Sequence, residues 1–377
     1  MVKFVFARAT FESGREGCTL LLVAAHGQIA CAAPEKELKP TGLDIMKKLL
    51  TGFLAATALT LSGFAAVAEG EPAVQFDLGG KFDKSFNESA YNGAEKWKAE
   101  SGKTYLEFEI QNADQREQGL RKLAESGANP VVAIGFANAD AVTKLADEFP
   151  KSNFVIIDMV VDKPNVRSVV FKENEGSYLV GVLAAMASKT GKGGFVGGMD
   201  IPLISKFGCG YAGGFKSVKA DGEVFMNMTG DTGAAWNDPV KGGELAKSQF
   251  DRGADVVFAA AGQTGLGVLQ AAKDAGKLAI GVDSNQNGIQ PGSVLTSMLK
   301  RVDVAVYSAF SDAQAGKFTG GIVALGLKEG GVDYAVDDNN KALITPEMTA
   351  AVEKAKADII AGTVQVHDFM SDNKCPY

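Results

Sequence analysis

The sequence predicts an α/β chain of two similar lobes, each a parallel sheet flanked by helices. Three observations carry this. Short apolar runs that end in polar residues or glycine alternate with segments of helical spacing along nearly all of the chain after residue 70. The connections are short, and 45 Gly against 11 Pro suits many tight strand-to-helix turns. The alternation also runs through once and then restarts, giving more strands than one doubly wound sheet commonly needs.

In chain order, Ala73–Leu78 is an apolar strand that ends at Gly79-Gly80. Phe86, Ala90, Ala94 and Trp97 then recur at helical spacing. The first run continues with strands at Tyr105–Ile110, Pro130–Ile134 and Phe154–Asp158, alternating with helices at Asp114–Glu125 and Asp140–Phe149. A β-rich piece, Val166–Phe171, leads into a long helix, Glu175–Lys189. The second run has strands at Gly194–Gly198, Val224–Met228, Asp255–Ala260 and Leu278–Asp283, with helices at Ile204–Lys219, Lys241–Arg252 and Leu266–Ala275. The remainder reads as strand Val294–Leu299, helix Val302–Ala315, strand Ile322–Leu327, helix Pro346–Ile360 and a last strand Val364–Phe369. It is too short for a third domain and is expected to cross between the lobes as a multi-strand hinge. The expected division is 73–173 plus about 301–318 for lobe 1, and 174–300 plus about 319–377 for lobe 2.

Before the fold comes an export segment. Met46-Lys47-Lys48, the apolar run Leu49–Leu61 and Ala66-Val67-Ala68 are the basic region, apolar region and small-residue cleavage site of a secretory signal peptide at 46–68. The apolar run is short for a membrane span, and no Cys follows it to carry a lipid anchor. Residues 1–45 read as an upstream extension, with Met46 as the start. Removing 68 of the 377 residues leaves a chain of 309, with 31 basic and 40 acidic residues. The expectation is a soluble periplasmic protein. Cys209 and Cys375 are left in it; an oxidising periplasm permits a disulfide between them, but their settings, an apolar helical run and a polar tail, favour a buried thiol and a loose one.

Composition narrows function. Hydrophobic residues are 46% and charged residues 22%, which excludes disorder, collagen and coiled coil as the main character. A net charge of −7 repels nucleic acid and anionic lipid. With only His26 and His367, a His-rich metal site or a His-based triad is hard to build, so no metal, cofactor or catalytic residue is assigned. Gly262-Gln263-Thr264-Gly265-Leu266-Gly267 lacks the spacing of a nucleotide loop and the Walker lysine.

Candidate binding residues lie at strand ends, where open α/β sheets bind ligands. The loop Asp77-Leu78-Gly79-Gly80-Lys81-Phe82-Asp83-Lys84-Ser85-Phe86-Asn87 puts carboxylates, an amide and aromatics at a helix N-terminus, with Ser85 as N-cap and Glu88 as its capping-box partner. Asp158, Asp283 and Lys300 each end an apolar strand. From spacing alone Phe86 reads as a core aromatic, and Phe258, inside Val256–Gly262, reads mostly as core.

Several of these runs occur together and in order: Asp83-Lys84-Ser85-Phe86-Asn87, Glu173–Gly181, Gly194–Pro202, Cys209-Gly210-Tyr211, Trp236-Asn237-Asp238-Pro239 and Gly281-Val282-Asp283-Ser284. In these the chain resembles the basic membrane protein (PnrA-like) substrate-binding proteins, ligand-binding components of ABC importers known chiefly for nucleosides. The resemblance implies the type I periplasmic binding fold, with ligand in the cleft between the lobes and an inner-membrane permease as partner. It implies that Phe86 and Phe258 sandwich a purine, that Asp158 accepts from the base edge and that Asn87 adds a polar contact. Asp283 then binds the ribose hydroxyls and Lys300 donates to the sugar. Asp77, on the same loop as Phe86, completes the expected set. The chain departs from the family at Asn285, where a second Asp is common, and in lacking the lipid-anchor Cys.

The chemistry agrees with a nucleoside, since rings cover a base face and one carboxylate accepts both hydroxyls of a vicinal diol. A cleft with two aspartates disfavours a phosphate. The expected protein is a monomeric nucleoside carrier. The alternatives are the same fold binding a sugar or signal molecule, and a secreted nucleoside hydrolase, for which no catalytic pair can be assembled.

Overall fold

Short strands buried on both faces set the architecture. The computed structural model describes residues 70–377; the expected signal peptide at 46–68 and extension at 1–45 lie outside the described residues. The strands are β1 (Ala73–Phe76), β2 (Leu106–Glu109), β3 (Val131–Ala133), β4 (Phe154–Ile157), β5 (Val166–Phe171), β6 (Lys192–Met199), β7 (Glu223–Gly230), β8 (Val256–Ala260), β9 (Leu278–Asp283), β10 (Val294–Lys300), β11 (Gly321–Leu325) and β12 (Val332–Tyr334). The helices are α1 (Phe86–Ser101), α2 (Gln115–Glu125), α3 (Ala139–Glu148), α4 (Glu173–Ala187), α5 (Pro202–Val218), α6 (Pro239–Asp251), α7 (Thr264–Asp274), α8 (Val302–Gln314) and α9 (Pro346–Ile360).

Two six-stranded sheets result, in the orders β11-β5-β4-β3-β1-β2 and β12-β10-β9-β8-β6-β7. Every pairing in the first sheet is parallel. In the second, only β12 runs antiparallel, against β10. Central strands such as β4 (Phe-Val-Ile-Ile) and β8 (Val-Val-Phe-Ala-Ala) are buried throughout, as parallel sheets covered by helices on both faces require.

The lobes exchange elements. Helix α4 follows β5 of the first sheet yet packs along α5 beside the second, and α8 follows β10 of the second sheet yet packs on α1. A third crossing joins β11 to β12. The α4–α5 approach is close enough that a Cβ on Gly214 would lie 2.0 Å from the Tyr178 carbonyl oxygen. Substitution there would push the helices apart.

Four features depart from expectation. Strand β11 belongs to the first sheet, although residues from about 319 were expected in lobe 2. Arg167 on β5 draws the chain there, donating to the Thr319 carbonyl at 2.9 Å, pairing with Asp312 at 2.7 Å and stacking on Phe318. The sequence reading missed β12, only three residues long after Gly330-Gly331. Val364–Phe369 forms no strand. Val364 and Val366 pack against the core, and the Asn174 amide donates to the carbonyls of Val366 and His367 (3.0 and 3.4 Å), standing in for a ladder. Cys209 and Cys375 are not free thiols but a disulfide, which fastens the C-terminal tail to α5.

Candidate functional site

The strand ends of both sheets face one cleft, and a cavity lies between them. Asp77, Phe86, Asn87, Asp158, Asp283 and Lys300 line it. Phe258 does not. It is fully buried within β8, with Phe195 and Tyr211 ring centroids 5.6 and 5.5 Å away, so the sandwich role assigned to it is corrected to a core role. The apolar run around it already carried that reading.

Other rings take its place. Phe207 on α5, Trp236 before α6 and Phe136 after β3 line the cavity beside Phe86. Phe207 comes one helical turn after Leu203, in an apolar helix start that reads as core from sequence. Trp236 is seated by Gly198 at the end of β6, where a Cβ would lie 2.1 Å from the indole. The Gly194–Pro202 and Trp236–Pro239 runs that signalled the family therefore meet, and that pairing was the available clue.

The loop after β1 is rigidly built. Ser85 makes no side-chain cap to α1; Asp83 does that work, accepting from the backbone N–H groups of Ser85, Asn87 and Glu88 at 2.8–3.0 Å. Burial raises the Asp83 carboxyl above its usual pKa, against these three donors. Asn87 accepts from the Asp77 N–H at 2.9 Å and donates to the carbonyls of Asp77 and Leu78. Its amide thus shapes the loop as well as lining the cavity. Asp77 is held by Arg116 at 2.8 Å.

Lys300 ends β10 at a lobe crossing. Its ammonium lies 2.7 Å from Asp158 and 3.0 Å from Glu173, and Lys206 pairs with the other Glu173 oxygen at 3.0 Å. The rings of Phe86, Phe171 and Phe207 surround it at 5.1, 5.1 and 5.6 Å. These carboxylates hold the Lys300 pKa above its usual value although burial opposes them. Burial raises Asp158, with Lys300 opposing. Glu173, between two ammonium groups that outweigh its burial, is lowered. Lys300 makes its ion pairs with Asp158 and Glu173, not with Asp283. Asp158 Oδ2 takes the lysine, while Oδ1 is buried without a hydrogen-bond partner among the described residues. An acceptor left this way costs free energy until a donor reaches it.

Asp283 is different. Its Oδ2 accepts from the Ser85 hydroxyl at 2.5 Å, and among the described residues no cation lies within ion-pair distance. Burial pushes its pKa up to about 7, with Lys300 and Ser85 opposing. Asp158 and Asp283 both adopt positive φ, 72° and 63°, backbone strain of the kind that collects at functional sites.

A cleft between two sheets joined by three crossings, lined by rings and by aspartates of both lobes, defines a solute-binding protein of the type I periplasmic fold. The chain belongs to the PnrA-like family of ABC transporter substrate-binding proteins, whose model matches residues 72–368. It is 38% identical over 317 residues to the ABC transporter nucleoside-binding protein BmpA of Lactococcus lactis, covering 78% of this chain and 88% of that one. It is 35% identical over 315 residues to a CD4+ T-cell-stimulating antigen of Listeria monocytogenes, covering 77% and 86%. Among solved structures, an ABC transporter solute-binding protein from Aeropyrum pernix superposes with a TM-score of 0.72 at 30% identity, over 79% of this chain and 93% of that one. Among the described residues no helix is long and apolar enough to cross a membrane.

Proposed function

We propose that the protein binds a purine nucleoside in the interlobe cleft and delivers it to an inner-membrane ABC permease, acting as an exported, soluble periplasmic monomer without catalysis. One observation carries this reading: rings of Phe86, Phe207 and Trp236 share a closed cavity with the orphaned Asp158 acceptor of lobe 1 and the Asp283 carboxyl of lobe 2. Rings suit a base face, Asp158 Oδ1 suits a base N–H, and Asp283 suits a ribose diol. The name of the Lactococcus relative supports the same ligand class. Four aspartates on the cavity wall against Lys300 disfavour a phosphate, so nucleotides are rejected.

A thermal-shift panel of nucleosides, free bases, pentoses and nucleotides tests this. Stabilisation by purine nucleosides, with each recovered intact afterwards, is the expected result. Stabilisation by pentoses alone, or cleavage to base and sugar, would replace it with the sugar-binding or hydrolase reading. Export is tested by N-terminal sequencing of periplasmic protein, expected to begin near Glu69.

A further inference from the structure

The two lobes are tied to each other across the cleft mouth by side chains that no ligand role requires. Three donors on lobe 2 reach backbone carbonyls of one lobe 1 loop. Gln263 Nε2 donates to Gly79 O at 2.9 Å, Gln286 Nε2 to Lys84 O at 2.8 Å and Ser284 Oγ to Ser85 O at 2.8 Å. A fourth bond runs the other way, from Ser85 Oγ to Asp283 Oδ2. The loop that receives them is fixed by Asp83 and Asn87, so it moves with α1 as one piece. Gln286 is likewise held on its own lobe, its Oε1 accepting from Val282 N–H at 2.9 Å and its N–H donating to Ser297 Oγ at 2.9 Å.

We propose that Ser85, with Ser284 and Gln286, is a latch that aims the Asp283 carboxylate and sets how long the closed cleft lasts, so that release rate is governed by bonds between lobes as well as by bonds to the ligand. Opening must exchange all four bonds for water at once, because each joins one rigid unit to another. Ser85 is a positioning residue. It is fully buried, and its hydroxyl donates to Asp283 and, at 3.5 Å, lies against the Val282 carbonyl. Holding Oδ2 leaves Oδ1 as the oxygen that Asp283 presents to a ligand.

This rests on the cleft being the ligand site, and its test separates the two ideas. Release of a purine ribonucleoside is followed by stopped-flow displacement for the native protein, Ser85→Ala and Ser284→Ala. Small-angle scattering of each without ligand reports lobe opening. Loss of a hydrogen bond to a carboxylate should speed release from Ser85→Ala about tenfold or more, with association within about threefold. Ser284→Ala, at a half-buried position, should give a smaller effect of the same sign and covers the case in which Ser85→Ala does not fold. Both variants should show a larger radius of gyration than native without ligand. Native release rates and unchanged scattering in both variants would overturn the latch. If no nucleoside binds the native protein, the ligand reading fails, while the scattering comparison still decides the latch.

Discussion

The two lobes place an aspartate at the same position in their sheets and surround it in opposite ways. Asp158 follows β4, third along the first sheet, and Asp283 ends β9, third along the second; both have positive φ and both carboxyl side chains are buried. Asp158 lies against the lobe crossings, where Lys300 and Glu173 sit, and it is part of an alternating chain of charges that runs on to Lys206. Asp283 lies at the cleft mouth with a serine hydroxyl from the other lobe. One carboxyl is therefore fixed by a permanent cation, and the other by a contact that is lost whenever the cleft opens. A repeated fold has been given one cation-fixed acid and one responsive acid by what crosses between its halves.

Breaking the cation should have the largest effect. Lys300→Met leaves Asp158 and Glu173 buried with one fewer positive charge, and removing one member of a buried pair costs about 3–5 kcal/mol. Asp283→Asn removes no cation partner and should not cost stability in this way, because burial already favours a neutral side chain there. Chemical denaturation of both measures the contrast, and equal losses would mean that the two acids are equivalent.

The ring correction gives the next test. Phe258→Ala should destabilise by about 3–5 kcal/mol, the cost of emptying a filled core site, with ligand affinity little changed in the folded fraction. Phe207→Ala should instead weaken nucleoside binding by about 1–3 kcal/mol, the worth of one stacked base. Denaturation and calorimetry together separate the outcomes; a normal affinity for Phe207→Ala returns that ring to the core.

The last contrast is the pH response. An aspartate whose folded pKa is raised to about 7 binds its proton more tightly folded than unfolded. Its stabilising contribution is complete below about pH 4 and is lost as pH rises through 7. The unliganded Tm should therefore fall between about pH 4 and 7 and level off above, and Asp283→Asn should remove that part of the slope. A ligand diol donates to the ionised form, so nucleoside affinity should rise towards pH 7 and level off above it, by no more than about tenfold per pH unit.

Much of this was legible in the sequence because buried parallel strands are continuous apolar runs, and their polar last residues mark the cleft. That logic found Asp158, Asp283 and Lys300. It failed where a residue's neighbours come from far along the chain. Phe207 and Phe258 both sit in apolar segments, and only the facing of α5 and β8 tells the cavity ring from the core ring. Ser85 carries a strong local N-cap signal, yet Asp83 makes the cap and Ser85 reaches a strand end 198 residues away. The disulfide was disfavoured for the same reason, since nothing local brings Cys375 to α5.

The central claim is that the responsive acid reads a sugar while the rings read a base. Calorimetric titration of a purine ribonucleoside and of its free base into the native protein and Asp283→Asn tests it most directly. The expected result is a loss of affinity for the ribonucleoside of about tenfold or more in the variant, the worth of a charge-assisted bond, with the weaker binding of the free base unchanged. Equal losses for both ligands would contradict it, leaving Asp283 as a lobe contact with no part in recognising the sugar.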